Sequence, residues 1–419
     1  MKKIKPMKKI SSILLVVLPV LMVLNIYYSV PGEIRLTEQS SCSLVLKPFC
    51  SVTTQEDTMA ASKTTEAMVS ESDDALYLNA GSTGDYKLTL KLFDVIPVKT
   101  IQVSVSPKTY VVPSGSPVGV KLYTEGLLVV SVSDVTAADG TVKSPGKDAG
   151  LKEGDRILAV NGQPISSTEE FSAVVNEVQS AVTLTVIRDG EAFDTAVTPV
   201  PARDENKYKL GIWVRDSTAG IGTLTFYNPE TNAFGALGHA ITDVDTGDIM
   251  AINNGSILSC NIISITKGAK GTPGELTGSF SNDCIGEIKQ NTDLGIYGII
   301  QTPEAVHTQD PVEVATRFQT KEGPAYILAD VNGEGVKKYS VEIEKVSKSG
   351  GINNKGIVLK ITDPVLLTET GGIVQGMSGA PIIQNNMLIG AVTHVFVNDP
   401  QRGYGIFAEN MLDMTNNIQ

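Results

Sequence analysis

The longest apolar stretch of the chain runs without a charged residue from Ile10 to Tyr28. It is long enough to cross a bilayer as a helix, and its lack of a polar face is typical of a membrane span. Because no Ala-x-Ala cleavage site follows, we expect an uncleaved anchor over residues 1–28 rather than a removed signal peptide. The lysines that precede the run favour a cytoplasmic N-terminus, and they are Lys2, Lys3, Lys5, Lys8 and Lys9.

The next part of the chain changes from a polar composition to an alternation of apolar and polar residues. From about residue 40 to 84 it is rich in Ser, Thr, Glu and Asp with weak periodicity, which predicts an exposed and flexible tether. Apolar and polar residues then alternate from Tyr86 to Phe93 and from Ile101 to Val105, which predicts strands. We therefore expect a tether and a small β region over residues 29–112.

Residues 113–200 have the pattern of a small α+β domain. Gly126 opens an apolar strand, and a second strand ends in the Asn161-Gly162 turn. Ser167 to Val178 has the pattern of an amphipathic helix that Ser167 or Thr168 caps at its start, with Glu170 close behind. Val182 to Arg188 then alternates as a closing strand.

This order resembles a PDZ domain of the kind attached to bacterial proteases. The matching residues are Gly126-Leu127-Leu128-Val129, Ala149-Gly150-Leu151 and Gly154-Asp155-Arg156-Ile157. PDZ domains bind an extended peptide along a sheet edge and hold its terminal carboxylate on backbone amides. The resemblance implies that Gly126, Leu127, Leu128 and Val129 bind a peptide ligand. The alternative is a module that only orients the next domain.

Residues 205–419 consist mostly of short, glycine-punctuated apolar runs, which predict a β-rich domain and a mainly β chain. The net charge of −12 argues against binding of nucleic acid, which needs a basic surface. The 4 cysteines lack metal-ligand spacing, so we expect ordinary thiols or one structural disulfide. No metal site or cofactor is predicted.

One loop of this domain has the pattern of an enzyme nucleophile. In Gly376-Met377-Ser378-Gly379-Ala380-Pro381 a serine lies between glycines, as chymotrypsin-like peptidases present their nucleophile. Glycine permits backbone angles closed to other residues and lets a substrate carbonyl approach. The amides of Gly376 and Ser378 are our candidates for the oxyanion site.

A nucleophilic serine needs a base, and the chain has 3 histidines. His239 ends a predicted hairpin beside glycine and small residues, and it precedes Ser378 as expected for one histidine and one serine from successive β-barrels. His307, in a polar loop, and His394, in a strand after the serine, are its rivals. We expect His239 to be the general base.

An acid that orients the imidazole completes such a group. Asp363 follows an apolar strand and is our first choice, although it comes only shortly before Ser378. Asp293 has the more usual position between the histidine and the serine, and its alternative role is to form a turn.

Taken together, the chain resembles the stage IV sporulation protein B peptidases of endospore-forming bacteria. The residues that carry this resemblance are Gly238-His239-Ala240-Ile241, the run from Gly371 to Pro381, Gly390 to Val395, Asn398-Asp399-Pro400 and Gly403-Tyr404-Gly405. It implies a chymotrypsin-like double β-barrel with His239, Asp363 and Ser378 as catalytic residues.

The same resemblance implies a biological role. A membrane-anchored endopeptidase would act outside the cytoplasm, between the forespore and mother-cell membranes. It would cleave its own N-terminal tether and a protein substrate in a membrane-embedded processing complex. The rival functions are a non-enzymatic PDZ adaptor that binds the tails of membrane proteins and a general quality-control protease.

Overall fold

The computed structural model describes residues 17, 20–45, 49–55, 69–72, 75–203, 207–306, 309–348, 353–416 and 418. Its N-terminal part has a helix, α1, over residues 20–29. Two small sheets follow, with strands β1 (Glu33–Thr37), β2 (Ser41–Val45), β3 (Cys50–Gln55), β4 (Val69–Ser72), β5 (Ala75–Asn79), β6 (Gly84–Leu92) and β7 (Ile96–Ser106). Their orders are β1-β7-β6-β3 and β2-β5-β4. Strands β2 to β5 thus lie where the sequence predicts a flexible tether.

The predicted membrane helix over residues 1–28 is wrong. In the part of the chain that the structure describes, no helix is both long and apolar enough to cross a bilayer. Residues 1–16, 18 and 19 of that prediction lie outside the described residues. In α1, Ile26 is only 1% exposed and packs with Val30 against the apolar core of β1, β6 and β7. One side of the apolar run therefore packs against protein.

A short strand, β8 (Tyr110–Pro113), and a long one, β9 (Pro117–Val132), lead into the PDZ-like unit. The unit has a core of its own that includes Leu127, Ile157 and Phe171. Its other elements are β10 (Val135–Thr136), β11 (Val142–Lys143), α2 (Pro145–Asp148), β12 (Arg156–Val160), β13 (Gln163–Pro164), α3 (Thr168–Val178), β14 (Val182–Arg188), β15 (Glu191–Val197), β16 (Val200–Pro201) and β17 (Tyr208–Lys209). Ser167 caps α3 as predicted, because its side chain accepts from the Glu170 amide at 3.1 Å.

A first antiparallel barrel follows. Its strands are β9 together with β18 (Ile212–Tyr227), β19 (Ala233–Ala236), β20 (Ile252–Thr266), β21 (Glu275–Thr292) and β22 (Gly295–Ile300). Pairing runs β9-β18-β19-β22-β21-β20 and returns to β9, so the described strands form a closed ring. Alternate side chains fill the interior, among them Val120, Leu122, Leu224 and Ile257.

Two strands of this barrel continue into the PDZ-like unit. In β9 and β18, Pro117 to Tyr123 pairs with Ser217 to Thr223 in the barrel, and Leu128 to Val132 pairs with Ile212 to Arg215 in the PDZ-like unit. The PDZ-like unit is therefore an insertion into the first barrel. The predicted boundaries, 113–200 and 205–419, differ from this arrangement because a strand pattern in sequence does not show where a strand changes domain.

The second barrel follows a short 3₁₀ helix (Pro303–Ala305). Its elements are β23 (Val312–Val314), β24 (Gly323–Ala329), β25 (Lys337–Val346), β26 (Ile357–Ile361), α4 (Pro364–Thr370), β27 (Pro381–Gln384), β28 (Met387–Phe396), β29 (Asp399–Phe407) and α5 (Ala408–Thr415). Among the described strands, pairing closes in the order β24-β25-β26-β29-β28-β27. The C-terminal region thus has two closed antiparallel barrels.

The two barrels meet in a shared apolar core. Phe226 and Tyr297 from the first barrel are fully buried there with Leu388 and Ile406 from the second and Met411 from α5. Close packing fixes how the barrels sit against each other. The site between them therefore depends on this core.

We predict that Phe226→Ala lowers the free energy of unfolding by about 3–5 kcal/mol, because it leaves a cavity in this core. Denaturant unfolding measures the change. Val95→Ala is the control, since Val95 is 76% exposed. Equal stability of the two variants would contradict the packing described above.

Candidate active site

The predicted nucleophile loop lies between the two barrels. Gly376 and Gly379 have φ of 97° and 98°, in the region that favours glycine. A Cβ at Gly379 would lie 2.1 Å from the Thr223 carbonyl oxygen, so no larger residue fits there. Strand β18 of the first barrel thus holds this loop of the second.

Hydrogen bonds from β18 fix the loop further. The Thr223 hydroxyl donates to the Gly376 carbonyl at 2.7 Å, and the Thr223 amide donates to the Ser378 carbonyl at 3.0 Å. The Thr225 hydroxyl donates to the Gly379 carbonyl at 2.7 Å. Within the described part of the chain, the amides of Gly376 and Ser378 have no acceptor. Both remain available to an oxyanion.

The predicted base, His239, follows a tight turn after β19. Leu237 and Gly238 both have positive φ, of 66° and 72°. His239 Nδ1 lies 2.8 Å from the Ala240 carbonyl oxygen, so Nδ1 carries the proton and Nε2 is left as an acceptor. Burial lowers the pKa of His239, and the Ala240 carbonyl only partly opposes this effect. The imidazole is therefore suited to accept a proton at neutral pH.

Ser378 and His239 line one cavity of about 530 Å³, and Gly376 and His394 also contribute to its wall. The rings of His239 and His394 have centroids 5.1 Å apart. Burial, and then the nearby His239 and Lys355, lower the pKa of His394 to about 4. Among the residues that the structure describes, no carboxylate, lysine or arginine lines this cavity. His394 is thus a neutral residue of the cavity wall beside the base. The two histidines that the sequence offered as alternative bases therefore lie next to each other.

Asp363 lies elsewhere and is not brought to His239. Its carboxylate caps α4, accepting from the amides of Val365 at 3.0 Å and Leu366 at 3.1 Å. It also accepts from the Ser340 amide at 3.2 Å. The sequence signal for this role is the Asp-Pro pair, because aspartate before a proline at the first helical position is a common helix start. The structure therefore differs from our choice of Asp363 as the orienting acid.

Asp293, the alternative acid, lies in the turn between β21 and β22 beside the histidine turn. A Cβ on its near neighbour Gly295 would lie 3.1 Å from the Gly238 amide nitrogen. The Asp293 carbonyl accepts from the Asn354 side chain at 3.0 Å, but its carboxylate is exposed. In the described chain neither aspartate is hydrogen-bonded to His239.

Comparison with known proteins identifies both units. Residues 206–412 match the family described as SpoIVB peptidase S55, and residues 138–188 match the PDZ domain. Residues 206–412 thus form a serine peptidase domain of the SpoIVB type, joined to a PDZ domain. The segment that matches the peptidase family contains both His239 and Ser378.

Curated relatives match shorter parts of the chain. The putative zinc metalloprotease R01501 of Rhizobium meliloti (strain 1021) is 29% identical over 138 residues, 32% of this chain and 33% of that protein. The regulator of sigma-W protease RasP of Bacillus subtilis (strain 168) is 40% identical over 65 residues, 15% of each. The matched part is thus a third or less of these relatives' length. The solved active form of the Rv3671c protease of M. tuberculosis has 14% identity and a TM-score of 0.29, covering 48% of this chain and 76% of that one.

The peptide-binding residues that the sequence predicted occupy the middle of a sheet. Leu127 and Leu128 pair with β12 on one side, and Leu128 and Val129 pair with β18 on the other. With both edges occupied, Gly126 to Val129 cannot accept an added strand. That prediction is wrong, because an apolar strand pattern does not show which neighbours a strand has.

The open edge of the PDZ domain is at the start of β18. A cavity of about 410 Å³ lies there, between Ile212 to Val214 of β18 and Phe171, Ser172 and Val175 of α3. Gly211, with φ of 68°, makes the turn into this edge, and Lys209 lies at the rim. The signal in sequence was Leu210-Gly211-Ile212, a glycine between apolar residues just before a strand. This cavity has the form expected for strand addition by a peptide.

We predict that the rate at which diisopropyl fluorophosphate labels Ser378 falls off at a pH below 6.5, the ordinary pKa of histidine. The reason is that burial lowers the pKa of His239, so the neutral base persists to lower pH. The measurement is the labelling rate across pH 4.5–8.5, with Ser378→Ala as the blank. An inflection at or above pH 7 would contradict the burial of the base.

Proposed function

We propose that this serine peptidase is an endopeptidase that cleaves itself and a membrane-associated regulatory protein, and so signals between forespore and mother cell during sporulation. The observation that carries the enzymatic part is the cavity shared by Ser378 and His239, between two barrels. The match to the SpoIVB peptidase family supports the signalling part. We further propose that the peptidase acts outside the cytoplasm, in the space between the two membranes.

The proposed reaction follows the usual order for a serine nucleophile. The Ser378 hydroxyl donates to the Thr393 carbonyl at 2.9 Å, so it must rotate towards His239 Nε2 before it can lose its proton. Ser378 then attacks the scissile carbonyl, and His239 accepts the proton and returns it to the leaving amine. The free amides of Gly376 and Ser378 bind the oxyanion.

The cavity wall supports an uncharged substrate segment. Residues such as Ile221, Val374, Val395 and Val397 line it, and apart from the two histidines no ionisable side chain does so among the residues that the structure describes. A charged side chain of the substrate would lose hydration there without gaining a partner. We therefore propose that the residues beside the scissile bond are uncharged.

The PDZ groove gives the peptidase a second peptide site. We propose that it binds an extended segment of a protein partner along Ile212 to Val214. The adjacent Lys209 favours a segment that ends in a carboxylate.

We predict that Ser378→Ala abolishes self-cleavage of the purified chain and leaves its thermal unfolding nearly unchanged, since the change removes one hydroxyl and its single hydrogen bond to the Thr393 carbonyl. Gel electrophoresis with mass spectrometry of the fragments measures this. Ser279→Ala, at an exposed position, is the control and should be cleaved normally. In a spore-forming host that lacks this gene, the wild-type chain should restore heat-resistant spores and Ser378→Ala should not. An unchanged fragment pattern in Ser378→Ala would refute the proposed chemistry.

We predict that Ser172→Trp weakens peptide binding to the PDZ groove at least tenfold, because the indole fills the space beside β18. Ala173→Trp places the same ring on α3 at a position outside the groove lining and should bind normally. Fluorescence of Trp213, which is 67% exposed at the groove, reports binding in the unmodified chain, and calorimetry compares the variants. Equal affinities in both variants would place the peptide elsewhere.

A further inference from the structure

Three consecutive residues of β18 contact three different parts of the peptidase. Val214 lines the PDZ groove. Asp216 accepts from the amide of Thr168 at 2.9 Å and so holds the first turn of α3, the other wall of that groove. Between them, Arg215 points to the other side and binds the segment that follows His239.

Arg215 holds this segment by two ion pairs. It bonds to Asp243, whose side chain is 1% exposed, and to Asp245 at 2.7 Å. Asp243 also accepts from the amides of Asp245 at 2.9 Å and Thr246 at 3.0 Å, which makes it the centre of the loop. Burial alone would raise the pKa of Asp243, but these amides and Arg215 together lower it. The carboxylate is therefore charged and depends on Arg215.

The same segment forms part of the active site. His239 begins it, and Ala240, Ile241, Thr242 and Val244 line the cavity of Ser378. Loss of one partner from a buried ion pair leaves an uncompensated charge and disturbs the structure around it. Any change at Arg215 should thus reach His239 through the three loop residues that separate Asp243 from it.

We propose that Arg215 is a positioning residue for His239 and that it couples occupancy of the PDZ groove to the reactivity of Ser378. A peptide that adds to the edge of Ile212 to Val214 fixes the backbone next to Arg215. The position of that backbone determines the position of the Arg215 guanidinium, and the guanidinium in turn holds Asp243 in place. The coupling is reciprocal, so an inhibitor on Ser378 should also change the affinity of the groove. This inference rests on the proposed peptide binding and on His239 as the base.

The PDZ domain offers a closely matched control. Arg188 pairs with Asp155 at 2.6 Å, with side chains that are 28% and 1% exposed. The corresponding values for Arg215 and Asp243 are 29% and 1%. Arg188 does not line the active-site cavity or the groove. Arg188→Gln therefore breaks a pair of matched exposure whose arginine lines neither the active-site cavity nor the groove.

The test measures the rate at which diisopropyl fluorophosphate labels Ser378 in the full chain. We expect Arg215→Gln to slow labelling at least tenfold and Arg215→Lys to restore it to within threefold. Asp245→Asn, which removes only the exposed partner, should slow it two- to threefold. Arg188→Gln should label at the wild-type rate. Wild-type labelling in Arg215→Gln, or an equal loss in Arg188→Gln, would overturn the positioning role.

A second arm tests the coupling. The probe is a pool of octapeptides with a free carboxylate and a randomised apolar last residue, and Trp213 fluorescence reports its binding. We expect the pool to change the wild-type labelling rate at least threefold and the rate of Arg215→Gln less than 1.5-fold, although both bind it. An equal change in both proteins would overturn the coupling. Absence of labelling in the wild type would instead refute the proposed peptidase activity. Absence of peptide binding would refute the proposed groove. The coupling proposed above would fail in either case.

Discussion

The hydrogen-bonded pairing of β9 with β18 is the constraint on which the rest of the structure depends. One antiparallel ribbon closes the first barrel at one end and forms part of the PDZ sheet at the other. Because each strand contributes to two cores, the two units cannot turn freely about a linker. The PDZ domain is thereby built into the peptidase, and its groove lies on a strand that also reaches the active site.

The active site depends on the same strand. Thr223 and Thr225 of β18 bind three carbonyls of the nucleophile loop, although that loop belongs to the second barrel. Thr218 to Ile221 of β18 form part of the cavity wall, and Arg215 holds the segment after His239. Elements that bring together a base and a nucleophile must be rigid, since small displacements slow such reactions strongly. The ribbon provides that rigidity.

The features that could be predicted from the sequence are those with local causes. The glycines around Ser378, the turn at His239 and the cap of α3 each depend on neighbouring residues. The errors concern partners far away in the chain. Gly126 to Val129 lies in a strand as expected. Its neighbours in the sheet, however, are strands that contain residues 156 and 215, which lie far away in the sequence. Asp363 was chosen because it follows an apolar strand, whereas the adjacent proline gives it a local role as a cap.

The central claim is that Ser378 is a nucleophile activated by His239 across the two barrels. Peptide mapping by mass spectrometry after treatment with diisopropyl fluorophosphate tests it most directly, in the wild type and in His239→Ala. We predict a single adduct, on Ser378, and a loss of at least a hundredfold in its rate of formation when the imidazole is removed. An adduct on another serine, or labelling of Ser378 at the wild-type rate in His239→Ala, would contradict it.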